Sequence, residues 1–157
     1  MEFFTIGVYN SSEKDFFNKL VKNEIDTFCD IRQRRGVRGA QYAFVNSNRL
    51  QHKLGELGIR YEYVPGLAPT AEVRAVQKEI DLEKGDLQRA RQELGAAFLI
   101  QFKNKILDKF DFNTFLDSLV KASSDKIVLF CVEENHEACH RSIVAEKLIS
   151  DYKITHL

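Results

Sequence analysis

No apolar run in these 157 residues approaches the ~20 that cross a bilayer. Neither sign of charge is in excess, and cysteine occurs only three times. The first absence argues against a membrane-spanning helix. The second, 23 Lys+Arg against 23 Asp+Glu, means that a nucleic-acid or membrane partner has to be argued from local clusters. The third is an odd number in a chain without a small secreted scaffold's cysteine density. It excludes a disulfide framework and reads as reduced thiols in a cytoplasmic protein. There is no internal repeat and no low-complexity linker. Met1-Glu2-Phe3-Phe4 enters a strand-like run at once, unlike a secretory signal. The composition, 44% hydrophobic and 29% charged, is that of an ordinary globular domain, and 1–157 is long enough to form one with its own core.

Strand and helix patterns alternate along the chain. Phe3 to Val8, Asp26 to Ile31, Ile127 to Phe130 and Lys153 to Leu157 are short apolar runs bounded by turn residues, and each predicts a strand. Arg60 to Val64 alternates polar and apolar and predicts a wetter strand near the sheet edge. Ser12 with Asp15 forms a capping-box pattern ahead of Phe16, Phe17 and Leu20 at helical spacing. Asn48 is placed to cap a helix carrying Leu50, Leu54 and Leu57, stopped by Gly58. Residues 70–122 read as helical almost throughout. Val73, Val76 and Ile80 form one stripe, Gly85-Asp86 a break, then Leu87, Leu94 and Phe98 continue it, and Asn113 or Thr114 starts a further helix. The fold class expected is therefore α/β: a single three-layer domain with a mainly parallel sheet of about five strands and helices on both faces. The 70–122 stretch is several times the length of a minimal crossover. It reads as a lid over a site or as a surface for a homodimer.

The reactive side chains concentrate in Cys131 to Ser142, a polar loop between the most apolar strand and a helix. Ligands of open α/β sheets bind outside the C-terminal strand ends. A parallel sheet would gather Asn10, Asp30, Arg32 and Glu133 at that edge with Cys139, His140, Arg141 and Ser142. Asp30 and Arg32 point to the same side, either as an ion pair pinning the loop or as an oriented Arg fork for a ligand. Arg34, Arg35 and Arg38 lie among glycines and suit phosphate, with Tyr42 and Phe44 placed to stack on a base. Cys139 at a helix start gains thiolate character and is a candidate nucleophile. His140 is the candidate general acid or base, oriented by Asp30 or Glu133. Cys131, His136 and Cys139 have a C-x4-H-x2-C spacing that falls short of two zinc knuckles, the fourth ligand having to be His140 or Cys29. No metal is assigned on this ground, and no cofactor is identified. A C-x5-R phosphate loop fails, because Glu137 stands where the Arg would be.

Four stretches together resemble a known family. Thr5-Ile6-Gly7, Asp30-Ile31-Arg32, Leu57-Gly58-Ile59-Arg60-Tyr61, and Leu129-Phe130-Cys131-Val132-Glu133 with Cys139-His140-Arg141 are similar to the TIG, DVR, GIxY and LLCaE…CHR motifs of domain of unknown function family 488. The resemblance covers nearly the whole chain outside Thr70 to about Leu107. It implies a compact α/β fold and a shared site of Asp30, Arg32, Cys139, His140 and Arg141, and it implies no reaction. Val8 stands where members often carry His, and Gln33-Arg34-Arg35-Gly36 where Pro and Ser often follow the Arg, which points the basic loop to a different ligand. The expectation is a site for a phosphate-bearing ligand, a nucleotide or nucleic-acid end, worked on by His140 and Cys139. The alternatives are a non-catalytic nucleic-acid-binding accessory protein and a zinc-stabilised interaction module.

Overall fold

The structure is a computed structural model and describes every residue except Arg38 and Arg89. Strands β1 (Glu2–Ile6), β2 (Thr27–Asp30), β3 (Arg60–Tyr63), β4 (Lys126–Phe130) and β5 (Ile154–His156) form one sheet in the order β3-β2-β4-β1-β5. Every pairing is parallel. The central strand β4 is buried along nearly its whole length, as its continuous apolar run requires. The alternating β3 lies at the edge, with no buried residue.

Helices α1 (Glu13–Lys22) and α2 (Ser47–Glu56) supply Phe16, Phe17, Leu20, Leu50 and Leu54 to one core, against Phe4, Ile6, Phe28, Val128 and Phe130 of the sheet. Helices α3 (Ala71–Lys84), α4 (Ala96–Lys105), α5 (Phe112–Lys121) and α6 (His140–Leu148) cover the other face. There Val73, Phe98, Phe102, Phe115, Leu119, Val144 and Leu148 pack on Phe3, Cys29, Ile127 and Leu129. The result is three layers. The chain steps outward from β1 to β3 over the first face and returns to β4 and β5 over the second. Right-handed crossovers require opposite faces for opposite directions of travel. The connections leaving β1 and β2 therefore part from the one leaving β4, which makes the C-terminal end of β4 the topological switch point where open α/β sheets form their crevice.

Ser12 caps α1 as its sequence pattern demands, accepting from the Asp15 amide at 3.0 Å. Two other helix starts differ from expectation. Asn46, not Asn48, precedes α2, and its side-chain oxygen is turned back to the Val37 amide. Asp111 rather than Asn113 or Thr114 caps α5, accepting from the Thr114 amide at 3.0 Å. The 70–122 region is also less helical than its pattern suggests. Gly85 ends α3 in the left-handed conformation at φ 73°, which a residue without Cβ adopts freely. The chain from Asp86 to Gly95 is then not helical among the described residues. Leu87, expected on the buried stripe, is 74% exposed. Among the described residues no helix is long and apolar enough to cross a membrane.

Gly7, leaving β1, lies directly under the loop leaving β4. A Cβ at Gly7 would run into the backbone oxygen of Glu133 and crowd the Arg141 guanidinium. Both are held in place, so the collision cannot be relieved by a side-chain rotation. Gly7→Ala is expected to destabilise the fold by about 3 kcal/mol or more, at the upper end for overpacking, as measured by urea denaturation. Gly55→Ala, which meets nothing within 4 Å, is the control.

Candidate functional site

Side-chain alternation sorts the residues at the crevice into two clusters, one on each face of the sheet. On the α1–α2 face, the carboxylate of Asp30 is fully buried. It grips Arg32 with both oxygens, accepting from Nε at 2.8 Å and Nη2 at 2.7 Å. Nη2 also donates to the Val45 carbonyl, and the guanidinium lies 4.5 Å over the Phe130 ring. The Tyr61 hydroxyl donates to the second Asp30 oxygen at 2.8 Å. Burial, with Asp30 alongside, pushes that phenol up to about 12, so it stays a donor at neutral pH. The remaining nitrogen, Arg32 Nη1, is buried and has no acceptor among the described residues.

On the opposite face stand Cys131, Cys139 and His140, all buried, their donor atoms within 4.8 Å of one another. His140 Nδ1 is 3.8 Å from each sulfur, and Nε2 is 3.0 Å from the Ile31 carbonyl. The ring packs beside Phe102. The Cys131 thiol donates to Glu133 Oε2 at 3.2 Å. Contact with Cys139, together with burial, pushes Cys131 up. Burial would push Cys139 up as well, but Cys131, His140 and Arg141 outweigh it and hold that thiol well below its ordinary range. Burial opposes the charge on His140 too, yet Cys139 beside it raises its pKa. The acid facing this cluster is Glu133, itself raised by burial. Asp30 faces the other way and is not the orienter of His140.

The described residues of 86–95 close over the thiol cluster as a strap. Arg91 is its anchor: Nη1 binds Asp81 at 2.8 Å, Nη2 binds Glu133 Oε1 at 3.3 Å, and Nη2 also donates to the Ala138 carbonyl. Gln88 donates to the same Glu133 oxygen. Asp81 accepts in addition from Gln77 at 2.7 Å. Gln77, Asp81, Gln88 and Arg91 escaped the sequence reading, and Tyr61 entered it only as part of the Leu57-to-Tyr61 motif. A signal existed for the first two: they follow Val73 at four-residue spacing on α3, so they continue its buried face.

The other expected site residues divide between structural anchors and exposed groups. Arg141 is 1% exposed and donates to the backbone oxygens of Glu133 at 2.6 Å and Glu134 at 2.9 Å. Ser142 donates to the Cys139 carbonyl. The Asn10 side chain reaches Glu134 and its amide donates to the Tyr42 hydroxyl. Tyr42 and Phe44 are buried in the first core, so they offer no stacking face. Tyr63 does, and Arg35 lies 4.2 Å over its ring. Arg34 is exposed, and Arg38 lies outside the described residues. His136 is stacked on His156 at 3.7 Å and is not part of the thiol group. Cys29 is buried and stands apart from it.

Fold and site together define a parallel α/β domain with a strand-end site built from a buried Asp–Arg fork and a buried thiol–imidazole cluster. The chain belongs to the family described as domain of unknown function DUF488, whose model matches residues 12–148. The match runs through the strap region and begins beyond Thr5-Ile6-Gly7. Neither a curated protein nor a solved structure matches the chain.

Two stability measurements check this geometry. Asp30→Ala leaves Arg32 buried and unpaired, which is expected to cost about 3–5 kcal/mol, whereas Asp30→Leu with Arg32→Met together should recover most of that loss. Arg91→Ala should cost about 3 kcal/mol for the same reason. It should speed amide exchange in residues 86–95 while β1, β2 and β4 stay protected.

Proposed function

We propose that the protein binds a phosphate-bearing ligand, a nucleotide or a nucleic-acid end, at the C-terminal edge of the sheet on the Arg32 side of the crevice. The observation that carries this reading is Arg32 itself. Its guanidinium is oriented by a bidentate carboxylate and is 3% exposed. One nitrogen, Nη1, lacks an acceptor among the described residues. A buried guanidinium N–H without a partner is costly to maintain, and an anionic oxygen is the acceptor that suits it best.

Arg34 and Arg35 follow on the same loop and supply outer cations, with Tyr63 as an exposed aromatic face beside Arg35. Arg141 and Asn10 serve the site by holding the β4 loop rather than by touching the ligand. Cys139 and His140 lie on the other face under the strap, so a ligand on Arg32 is bound without direct contact with the thiols. This favours a binding role over nucleophilic chemistry by Cys139. A homodimer through the 70–122 region is a further part of the reading. Leu82, Leu87, Leu99 and Ile100 of that region are exposed and support it.

Titration calorimetry with inorganic phosphate, ADP and a single-stranded oligonucleotide bearing a terminal phosphate tests the reading. At least one probe is expected to bind. The Arg34→Ala/Arg35→Ala double variant, whose side chains are not buried, should bind it about tenfold or more weakly, the loss of one or more charge-assisted contacts. For the oligonucleotide, the slope of log K against log salt should fall in magnitude by about 1.4, two contacts at ~0.7 each. No binding by any probe, or equal binding by parent and double variant, refutes the assignment.

A further inference from the structure

We infer that Cys131, Cys139 and His140, joined by Glu133, form a metal site for a thiophilic divalent cation, zinc by its ligand chemistry. The inference is independent of the anion reading, because it uses the opposite face of the sheet and other residues.

Three donors of the types zinc prefers converge with atoms no more than 4.8 Å apart. A tetrahedral zinc with bonds of about 2.3 Å to sulfur and 2.0–2.1 Å to nitrogen holds adjacent N and S ligands roughly 3.6 Å apart. His140 Nδ1 is already 3.8 Å from both sulfurs, so each N–S separation has to close by only about 0.2 Å.

The imidazole is turned the right way for such a role. A carbonyl oxygen can only accept, so the 3.0 Å contact between Nε2 and Ile31 O places a hydrogen on Nε2. In the neutral ring this leaves the Nδ1 lone pair facing the two sulfurs. That backbone anchor on the far nitrogen is the outer-shell arrangement that orients metal-bound histidines. Glu133 lies beside this three-residue set rather than inside it, and in the proposed site its carboxylate moves in as the fourth donor. Its Oε2 is 3.2 Å from Cys131 Sγ, while Oε1 is held by Gln88 and Arg91, which fixes the carboxylate's orientation.

The charges also close. Two thiolates and a carboxylate around a dication leave one negative charge, Asp81 adds a second, and two guanidinium cations lie against them. Arg91 pairs with the Glu133 carboxylate. Arg141 is buried among the same residues and bonds two carbonyls, with no carboxylate partner among the described residues. The set spans the end of β4 and the start of α6, so its sequence spacing, Cys131 to Cys139-His140, does not form a zinc knuckle. His136, which the spacing suggests as a ligand, is engaged with His156 instead.

Cobalt(II) serves as the spectroscopic probe and zinc as the competing ion, each added to the full-length reduced protein after chelation. One equivalent of cobalt is expected to give the visible bands of a tetrahedral ion and thiolate-to-cobalt charge transfer, both abolished by one equivalent of zinc. Cys131→Ser and Cys139→Ser should each lose thiolate intensity and bind zinc at least tenfold more weakly. Glu133→Gln should weaken zinc about tenfold while keeping both thiolate bands. Cys29→Ser should bind like the parent. If a variant fails to fold, the parent's zinc-dependent rise in Tm and its protection of two of three thiols from alkylation test the same point. Absence of the cobalt–thiolate spectrum in the parent overturns the inference. So does an unchanged spectrum in Cys139→Ser, or a Cys131–Cys139 disulfide that persists under reducing conditions.

Discussion

The grip of Arg141 on the backbone of the β4 loop is the interaction on which the rest of the site depends. One guanidinium, buried at the first turn of α6, donates to the carbonyl oxygens of Glu133 and Glu134. The same loop presses onto β1 at a point where only glycine fits. Val132 accepts from the Val8 and Tyr9 amides, so the loop is stitched to β1 by backbone bonds as well. With the backbone fixed in this way, the Glu133 side chain turns to the second face and meets Cys131, Gln88 and Arg91. Without it, the acid would have no defined position and the strap no anchor. The terminal Arg of the Cys-His-Arg motif is thus an architectural residue, and it explains why Gly7 is required more than a hundred positions away.

Ile31 divides the two chemistries. Its neighbours Asp30 and Arg32 project to the α1–α2 face, where carboxylate, guanidinium and phenol bond one another and leave Arg32 Nη1 without an acceptor among the described residues. Its own carbonyl holds His140 on the other face. Each cluster keeps its charges paired within itself, as buried charges must be. Among the described residues, the side-chain hydrogen bond that links them runs from His140 Nε2 to the Ile31 carbonyl. A change in one cluster therefore reaches the other mainly through the backbone of residues 30–32.

Much of this was legible in the sequence. Four apolar runs and one alternating stretch, Arg60 to Val64, marked the five strands, and the parallel arrangement followed from their alternation with helices. Convergence of Asp30, Arg32, Glu133 and the Cys-His-Arg stretch at one edge followed from that topology. What was not legible is the division by face. Strand alternation places Asp30 and Arg32 together but says nothing about Cys139 and His140, which belong to a helix whose side of the sheet depends on strand order. Strand order is set by long-range packing, and one sequence carries no direct sign of it. The His136 expectation failed similarly: spacing along a loop does not fix direction, and the 3₁₀ turn Asn135 caps turns that ring towards β5. The strap was read as helix because Leu87, Leu94 and Phe98 continue a helical period. Gly85 ended that period, and an unmet need for polar partners decided the rest. Asp81 on the buried face of α3 required a cation beside the Gln77 amide, and Arg91 supplies it, while the Gly95 amide donates to the Gln77 oxygen.

The long crossover between β3 and β4 follows from the same requirement. A minimal connection would leave Glu133, Cys131 and His140 open to water on the α6 side, where a carboxylate next to thiols would simply be solvated. Covering them with apolar helices alone would strand the carboxylate, at a cost of several kcal/mol. The strap solves both problems by delivering a cation, Arg91, that is itself satisfied by Asp81 and the Ala138 carbonyl. Helices α3 and α4 pack on each other at the base of the strap, where Gly95 lies against Ile80 and its amide bonds Gln77. The extra length is thus the scaffold for one buried ion-pair chain, Asp81–Arg91–Glu133. That chain makes a buried thiol–imidazole–carboxylate cluster compatible with a stable fold.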